Sequence, residues 1–248
     1  MTKIVKICGL RTLEAAQKAV EAGADLLGSI LVPNKPRTVE ENVALQISEL
    51  ARATRKARNR KFQTVEEIHK HLATQHFENI NEYLETVAEI VIENGPFFVG
   101  VFRNQPIETV FETAKRLQLD FIQLHGSEEK IQFAEKTYQF GIIPRYVVPQ
   151  DVDTMKKDLG TFKEKKYVGL PLLDSEAGGE GKVIDWEVVN DLDFGKYILA
   201  GGLNPANLAD TASIQNLLGF DVSGGVEDGK WNKDLKKIED FVKIGKTL

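Results

Sequence analysis

A single cysteine, Cys8, ends the apolar run Ile4-Val5-Lys6-Ile7 in "KICGL" and is followed by Gly9. A thiol there is either inert packing or a base and nucleophile, and the second role needs it ionised part of the time, against an ordinary pKa of about 8.5. Asp174 ends a second apolar run, "YVGLPLLD". A carboxyl group in a site that closes and dries is pushed toward its protonated form, which suits general acid work; a helix cap or ion pair is the alternative. Arg37, in "VPNKPRTVEE", offers the planar fork that grips a carboxylate through two bonds. His125, in "IQLHG", reads equally as pocket wall or structural histidine. Two glycine pairs follow apolar runs: Gly201-Gly202 in "LAGGLNPANL" and Gly224-Gly225 in "DVSGGVE". Each lets the backbone approach an anion closely, and a helix predicted to follow, with Pro205 in the first turn of one, adds its dipole. The expected ligand is a phosphate.

These residues all stand at the ends of apolar runs, and the runs recur. They are "IVKICG" (4–9), "DLLGSILV" (25–32), "FFVGVF" (97–102), "FIQLHG" (121–126), "IIPRYVV" (142–148), "YVGLPLLD" (167–174), "YILAGG" (197–202) and "GFDVSGG" (219–225). Most are nearly continuous rather than alternating, the pattern of parallel strands covered on both faces. Amphipathic stretches lie between them. "TLEAAQKAVEAG" has Thr12 as cap and Gly23 as stop, "PIETVFETAKRLQ" starts on Pro106, and "KDLKKIEDFVKIGK" has apolar residues at helical spacing. Eight βα units in 248 residues match a single (β/α)8 TIM barrel over 1–248, with a doubly wound open sheet as the other arrangement. In such a barrel the working residues sit at the C-terminal ends of strands, where Cys8, Arg37, His125, Asp174 and the glycines fall.

Residues 52–94, between the second and third strands, are too long for one helix. They are read as an extended second helix plus a helical, charged and solvated insertion. The basic stretch "RATRKARNRK" within it is read as a solvated face rather than a docking surface for RNA or an acidic partner. The loop "LLDSEAGGEGKVIDW" lacks the first glycine and the Ser/Thr of a nucleotide-binding P-loop, since Glu176 and Val183 occupy those places. It reads as a lid closing over substrate.

A net charge of −5 gives no general affinity for nucleic acid or anionic membranes. One cysteine excludes an intrachain disulfide framework and a multi-thiolate zinc site. With no apolar run near the roughly 20 residues that span a bilayer and no secretory pattern, a soluble cytoplasmic protein is expected, and a barrel of this size can stand as a monomer.

Taken in order, "KICGL", "ADLLGSILVPNKPRTV", "VGVFRNQ", "IQLHG", "PLLDSEAGGEGKVIDW", "LAGGLNPANL" and "GFDVSGGVE" resemble phosphoribosylanthranilate isomerase, the "SEAGG" and "VPNKPRT" stretches most like the fungal enzymes of tryptophan biosynthesis. Phe220 stands where the family motif has Val, and the resemblance covers nearly everything outside about 52–94. It implies an Amadori rearrangement of N-(5-phosphoribosyl)anthranilate without metal or organic cofactor. By match to the family motifs, Cys8 is the general base and Asp174 the general acid, and Arg37 holds the anthranilate carboxylate. Gly202, Gly224 and Gly225 cradle the phosphate, with Gly178 and Gly179 near it and Asp221 and Glu227 near the ribose. His125 joins the substrate-binding set as a candidate pocket residue. Two other phosphosugar barrels fit less well. Indole-glycerol-phosphate synthase wants a catalytic lysine in an early strand, and the histidine-pathway isomerase wants Asp on strands 1 and 5, where this chain has Cys8-Gly9 and Val147-Val148-Pro149. A non-catalytic phosphosugar binder is the reading from another class; intact Cys8 and Asp174 speak against it.

Overall fold

Thr12 begins the first helix as its composition predicts, its hydroxyl accepting from the Ala15 N–H, and Gly23 ends it at φ +99. That helix, α1 (Leu13–Ala22), connects β1 (Ile4–Ile7) to β2 (Leu26–Ile30), and helical connections follow each later strand, of the α type except between β7 and β8. The computed structural model describes residues 2–175 and 186–248. In it, β3 (Phe97–Phe102), β4 (Phe121–Leu124), β5 (Gly141–Tyr146), β6 (Leu172–Leu173), β7 (Tyr197–Leu199) and β8 (Leu217–Val222) follow β2 in order, all parallel. β8 returns to β1 with Ile4 opposite Gly219 and Lys6 opposite Asp221, which closes the barrel. An open doubly wound sheet is thereby ruled out.

Outward-facing strand residues pack on the helices and inward-facing ones fill the barrel, because side chains alternate along a strand. The last helix, α9 (Leu235–Thr247), starts where the Asp234 carboxylate accepts from the Lys236 and Lys237 N–H groups, and it packs against α1 and β1. Among the described residues no helix is long and apolar enough to cross a membrane.

Three expectations need correction. First, the region between β2 and β3 forms three helices with a large buried face: α2 (Glu41–Ala57), α3 (Val65–Ala73) and α4 (Ile80–Asn94). Leu84, Val87, Ala88 and Val91 of α4 are fully buried. Tyr83 donates to the Tyr167 carbonyl ahead of β6, and Glu85 pairs with Lys196 ahead of β7, so α4 lies across the N-terminal end of the barrel. The basic stretch is also not all solvated. Arg55 is buried, bonded twice to Asp120 at 2.9 Å and once to the Pro96 carbonyl at 2.7 Å, with its guanidinium over the Phe97 ring. Second, α5 (Ile107–Arg116) takes Pro106 as its cap rather than within its first turn. Third, no α-helix directly follows either glycine pair. A 3-10 turn occupies Leu208–Ser213 and another Gly224–Val226, and Pro205 precedes the first. Any anion there is held by individual N–H groups, without a long helix dipole. The remaining helices are α6 (Lys130–Glu135), α7 (Val152–Lys165) and α8 (Trp186–Asn190).

Candidate active site

A cleft of about 440 Å³ opens at the C-terminal ends of the strands, within the size range of small-molecule sites. Cys8 lies on its floor, 5% exposed, with its N–H donating to the Val222 carbonyl at 2.8 Å. Gly9 turns the chain away at φ +73. Gly28 on β2 makes room for the thiol: a Cβ there would sit 2.9 Å from Cys8 Sγ and 3.2 Å from Lys6 Nζ. Two residues before Cys8, and so on the same face of β1, Lys6 is fully buried with its Nζ 2.7 Å from Asp221 Oδ1. Burial pushes the Cys8 thiol up. Lys6 pulls it back, Asp221 pushes it further up, and Lys233 also pulls it down, but burial prevails. Burial likewise works against the Lys6 ammonium, yet Asp221 and Cys8 hold its pKa above the ordinary value.

Asp174 directly follows β6 and is buried, its Oδ1 accepting from the Ser175 N–H at 2.8 Å. Arg145 on β5 donates from Nε to Asp174 Oδ2 at 3.3 Å and from Nη2 to the Ser175 carbonyl at 2.6 Å. Burial raises the Asp174 pKa and the Asp221 charge adds to the rise, while Arg145 and the Ser175 N–H oppose it. His125, after β4, has Nε2 3.7 Å from Asp174 Oδ2, too far for a hydrogen bond. Burial, then the cations Arg145, Arg103 and Lys6, lower the His125 pKa to about 3, so the imidazole is neutral at physiological pH. Among the described residues its buried Nδ1 meets no protein partner. His125 therefore belongs to the cleft wall, as a neutral polar group.

The glycine turns, after β7 and β8, close the stretch of rim between Asp174 and Cys8. Gly201 and Gly202 adopt φ +86 and +70, open to glycine at little cost. Gly225 presses so closely on the neighbouring turn that a Cβ would lie 1.9 Å from the Leu203 carbonyl oxygen. N–H groups in the first turn of a helix have no partner within it, so the start of the Gly224–Val226 turn can offer donors to an anion. Ser223 Oγ, buried beside them, has no partner among the described residues. Arg37 reaches the same rim. Its Nε and Nη2 donate to the two Glu227 oxygens at 2.8 and 2.9 Å, and its guanidinium lies 4.4 Å from the centre of the Trp231 ring. Burial resists the Glu227 charge, but Arg37 and Lys233 outweigh it and hold the carboxyl below its usual range.

The cleft thus gathers Cys8, Arg37, His125, Asp174, Gly202, Asp221, Gly224 and Gly225. Glu227 stands behind Arg37 as its carboxylate partner. Gly178 and Gly179, with the loop read as a lid, lie outside the described residues. Sequence reasoning passed over Lys6, Gln123, Arg145, Lys233 and Trp231, and took Ser223 only as part of its glycine turn. A signal existed for two of them: Lys6 and Gln123 each stand two residues before a nominated side chain, hence on the same strand face. Among the described residues no group of three or more His, Cys, Asp or Glu side chains is arranged to hold a metal ion.

The family model for N-(5'-phosphoribosyl)anthranilate (PRA) isomerase matches residues 63–244. The chain is 49% identical over 243 residues to the N-(5'-phosphoribosyl)anthranilate isomerase of Candida albicans, covering 98% of this chain and 97% of that one. The solved phosphoribosyl anthranilate isomerase of Thermotoga maritima is similar at TM-score 0.69 and 28% identity, with 100% of each chain covered. A structure of phosphoribosyl anthranilate isomerase in complex with reduced 1-(o-carboxyphenylamino)-1-deoxyribulose 5-phosphate is similar at TM-score 0.65 and 27% identity, again with 100% of each chain covered.

Proposed function

The chain belongs to the N-(5'-phosphoribosyl)anthranilate isomerase family, and on that premise we propose that Cys8 is the general base and Asp174 the general acid of its reaction. The enzyme is an isomerase of tryptophan biosynthesis, converting N-(5-phosphoribosyl)anthranilate to 1-(2-carboxyphenylamino)-1-deoxyribulose 5-phosphate. The observation that carries the residue assignment is the placement of a buried thiol after β1 and a buried carboxyl after β6 on one cleft, with the two glycine turns between them around the ring.

The substrate's phosphate is held by Gly202, Gly224 and Gly225, joined by Gly178 and Gly179. Its anthranilate carboxylate is held by Arg37, whose guanidinium Glu227 orients through Nε and Nη2. The ribose then spans the cleft between Cys8 and Asp174, beside Asp221 and His125. Protonated Asp174 gives its proton to the ring oxygen, the C1–O bond breaks, and the nitrogen lone pair forms the iminium. The Cys8 thiolate takes the C2 proton, and the C–H electrons form the enolamine, which tautomerises to the ketone. The raised Asp174 pKa supports the acid role, since the group must carry a proton at the start. Arg145 supports the carboxylate left behind.

The same reading has the enzyme as a cytoplasmic monomer acting on a phosphosugar, with no nucleic acid, metal or organic cofactor, and residues about 52–94 as an insertion in one barrel domain. Its test is direct. Cys8→Ala and Asp174→Asn should each abolish turnover, followed by the loss of substrate anthranilate fluorescence, while the melting temperature and product affinity stay close to those of the parent. A few per cent of the parent rate in either variant overturns the assignment.

A further inference from the structure

The interior of a (β/α)8 barrel is ordinarily filled by Val, Ile and Leu. Here an ammonium and a carboxylate, Lys6 and Asp221, face each other at 2.7 Å in adjacent strands, the lysine with no exposed surface. A buried ion pair is weak evidence for stability, because an apolar pair of similar volume often does as well or better. Its position suggests another use. A methyl placed on Gly28 would touch both Cys8 Sγ and Lys6 Nζ, so the thiol and the ammonium border the same small space. The Asp221 end of the pair also lines the cleft with Asp174.

We propose that Lys6 and Asp221 are positioning residues whose buried ion pair sets where the proton rests between the two catalytic groups, its cation against Cys8 and its anion toward Asp174. The inference rests on the acid–base reading above and adds the source of its polarity. The reaction starts from thiolate and protonated carboxyl, the reverse of the arrangement these groups adopt in water. The Lys6 charge favours the thiolate, and the Asp221 charge favours the protonated carboxyl. The other charged or titratable neighbours are Lys233 near the thiol and Arg145 and His125 near Asp174, with Arg103 beyond His125. Lys233 assists the thiolate from the loop after β8, but Glu227 and the Ser223 carbonyl share its ammonium.

The chain has one cysteine, so alkylation by iodoacetamide reads Cys8 alone. Because Asp221 also lies near the ribose, the decisive readout is taken on free enzyme, with folding checked by circular dichroism. In Asp221→Asn the lysine is released to the thiol, and the alkylation midpoint should fall by about one pH unit, a tenfold gain in rate at pH below the midpoint. In Lys6→Met/Asp221→Asn the cation is gone as well, and the midpoint should rise above the parent's by about one unit. In the double variant the two limbs of the kcat/KM profile should also move apart, and its maximum should fall about tenfold for each unit between them. Unchanged midpoints, or shifts of the same sign in both variants, overturn the proposal. If the double variant does not fold, an unchanged or raised midpoint in Asp221→Asn does so alone. Full activity in Cys8→Ala would instead overturn the acid–base reading and leave the alkylation result standing.

Discussion

Gly28→Ala isolates the packing that places the thiol. The added Cβ would lie 2.9 Å from Cys8 Sγ, 3.1 Å from Cys8 Cα and 3.2 Å from Lys6 Nζ. Carbon contacts begin at about 3.5 Å, so the thiol must retreat by roughly 0.6 Å. The nearby Cα bars an easy backbone adjustment, and Lys6 is held by Asp221. Overpacking of this kind costs about 1–3 kcal/mol. For a chain of this size that lowers the melting temperature by several degrees, at about 2–4 °C per kcal/mol. The effect on rate should exceed the effect on the folded population. A misplacement of about 1 Å at a reacting atom can cost about 100-fold, so the expected loss in kcat/KM is roughly ten-fold or more. The assay is anthranilate fluorescence decay on freshly made substrate, well below the variant's melting temperature, with circular dichroism confirming a folded barrel. A folded Gly28→Ala enzyme within twofold of the parent kcat/KM refutes the argument that this glycine positions the proposed base.

Two further predictions concern the barrel's N-terminal end. Arg55→Ala leaves the buried Asp120 carboxylate without its cation, and urea unfolding should report a loss of about 3–5 kcal/mol; a loss under about 1 kcal/mol would mean that the arginine is effectively solvated. Burial raises the Asp25 pKa to about 6 from an ordinary 3.8, although Lys246 and the Val5 N–H oppose the rise. The folded state then binds the extra proton between those values, so Asp25 makes stability fall as pH rises from about 4 to about 6, by roughly 3 kcal/mol, and adds no further slope above. Subtracting the unfolding free energies of Asp25→Asn from the parent's at pH 4.5, 5.5 and 7 should expose that slope, and a difference constant across the three refutes it.

The strands, the first and last helices and the glycine turns were legible because each is written in short-range chemistry. An apolar run, a Thr before a helix, a Gly after it and apolar residues at helical spacing need only neighbouring residues to act. Cys8 and Asp174 could be nominated from their places at strand ends. The residues from α2 to α4 were less legible, since "RATRKARNRK" has the composition of a solvated face whether or not Arg55 finds Asp120. Similarly, nothing local told whether Gly224 and Gly225 open a long helix or a single tight turn.

The sequence by itself determined that parallel strands alternate with helices and that a thiol, a carboxyl and two anion-ready turns fall at strand ends. Closure of β8 onto β1 decided the rest. It brought Lys6 to Asp221 across 215 positions of chain, while the pairing of β5 with β6 set Arg145 against Asp174, and the folded barrel removed Lys6, Asp174 and Asp221 from water. The physical reason is that a pKa depends on desolvation and on charges a few ångströms away. Both come from which strands are neighbours, and no stretch of residues read alone contains that.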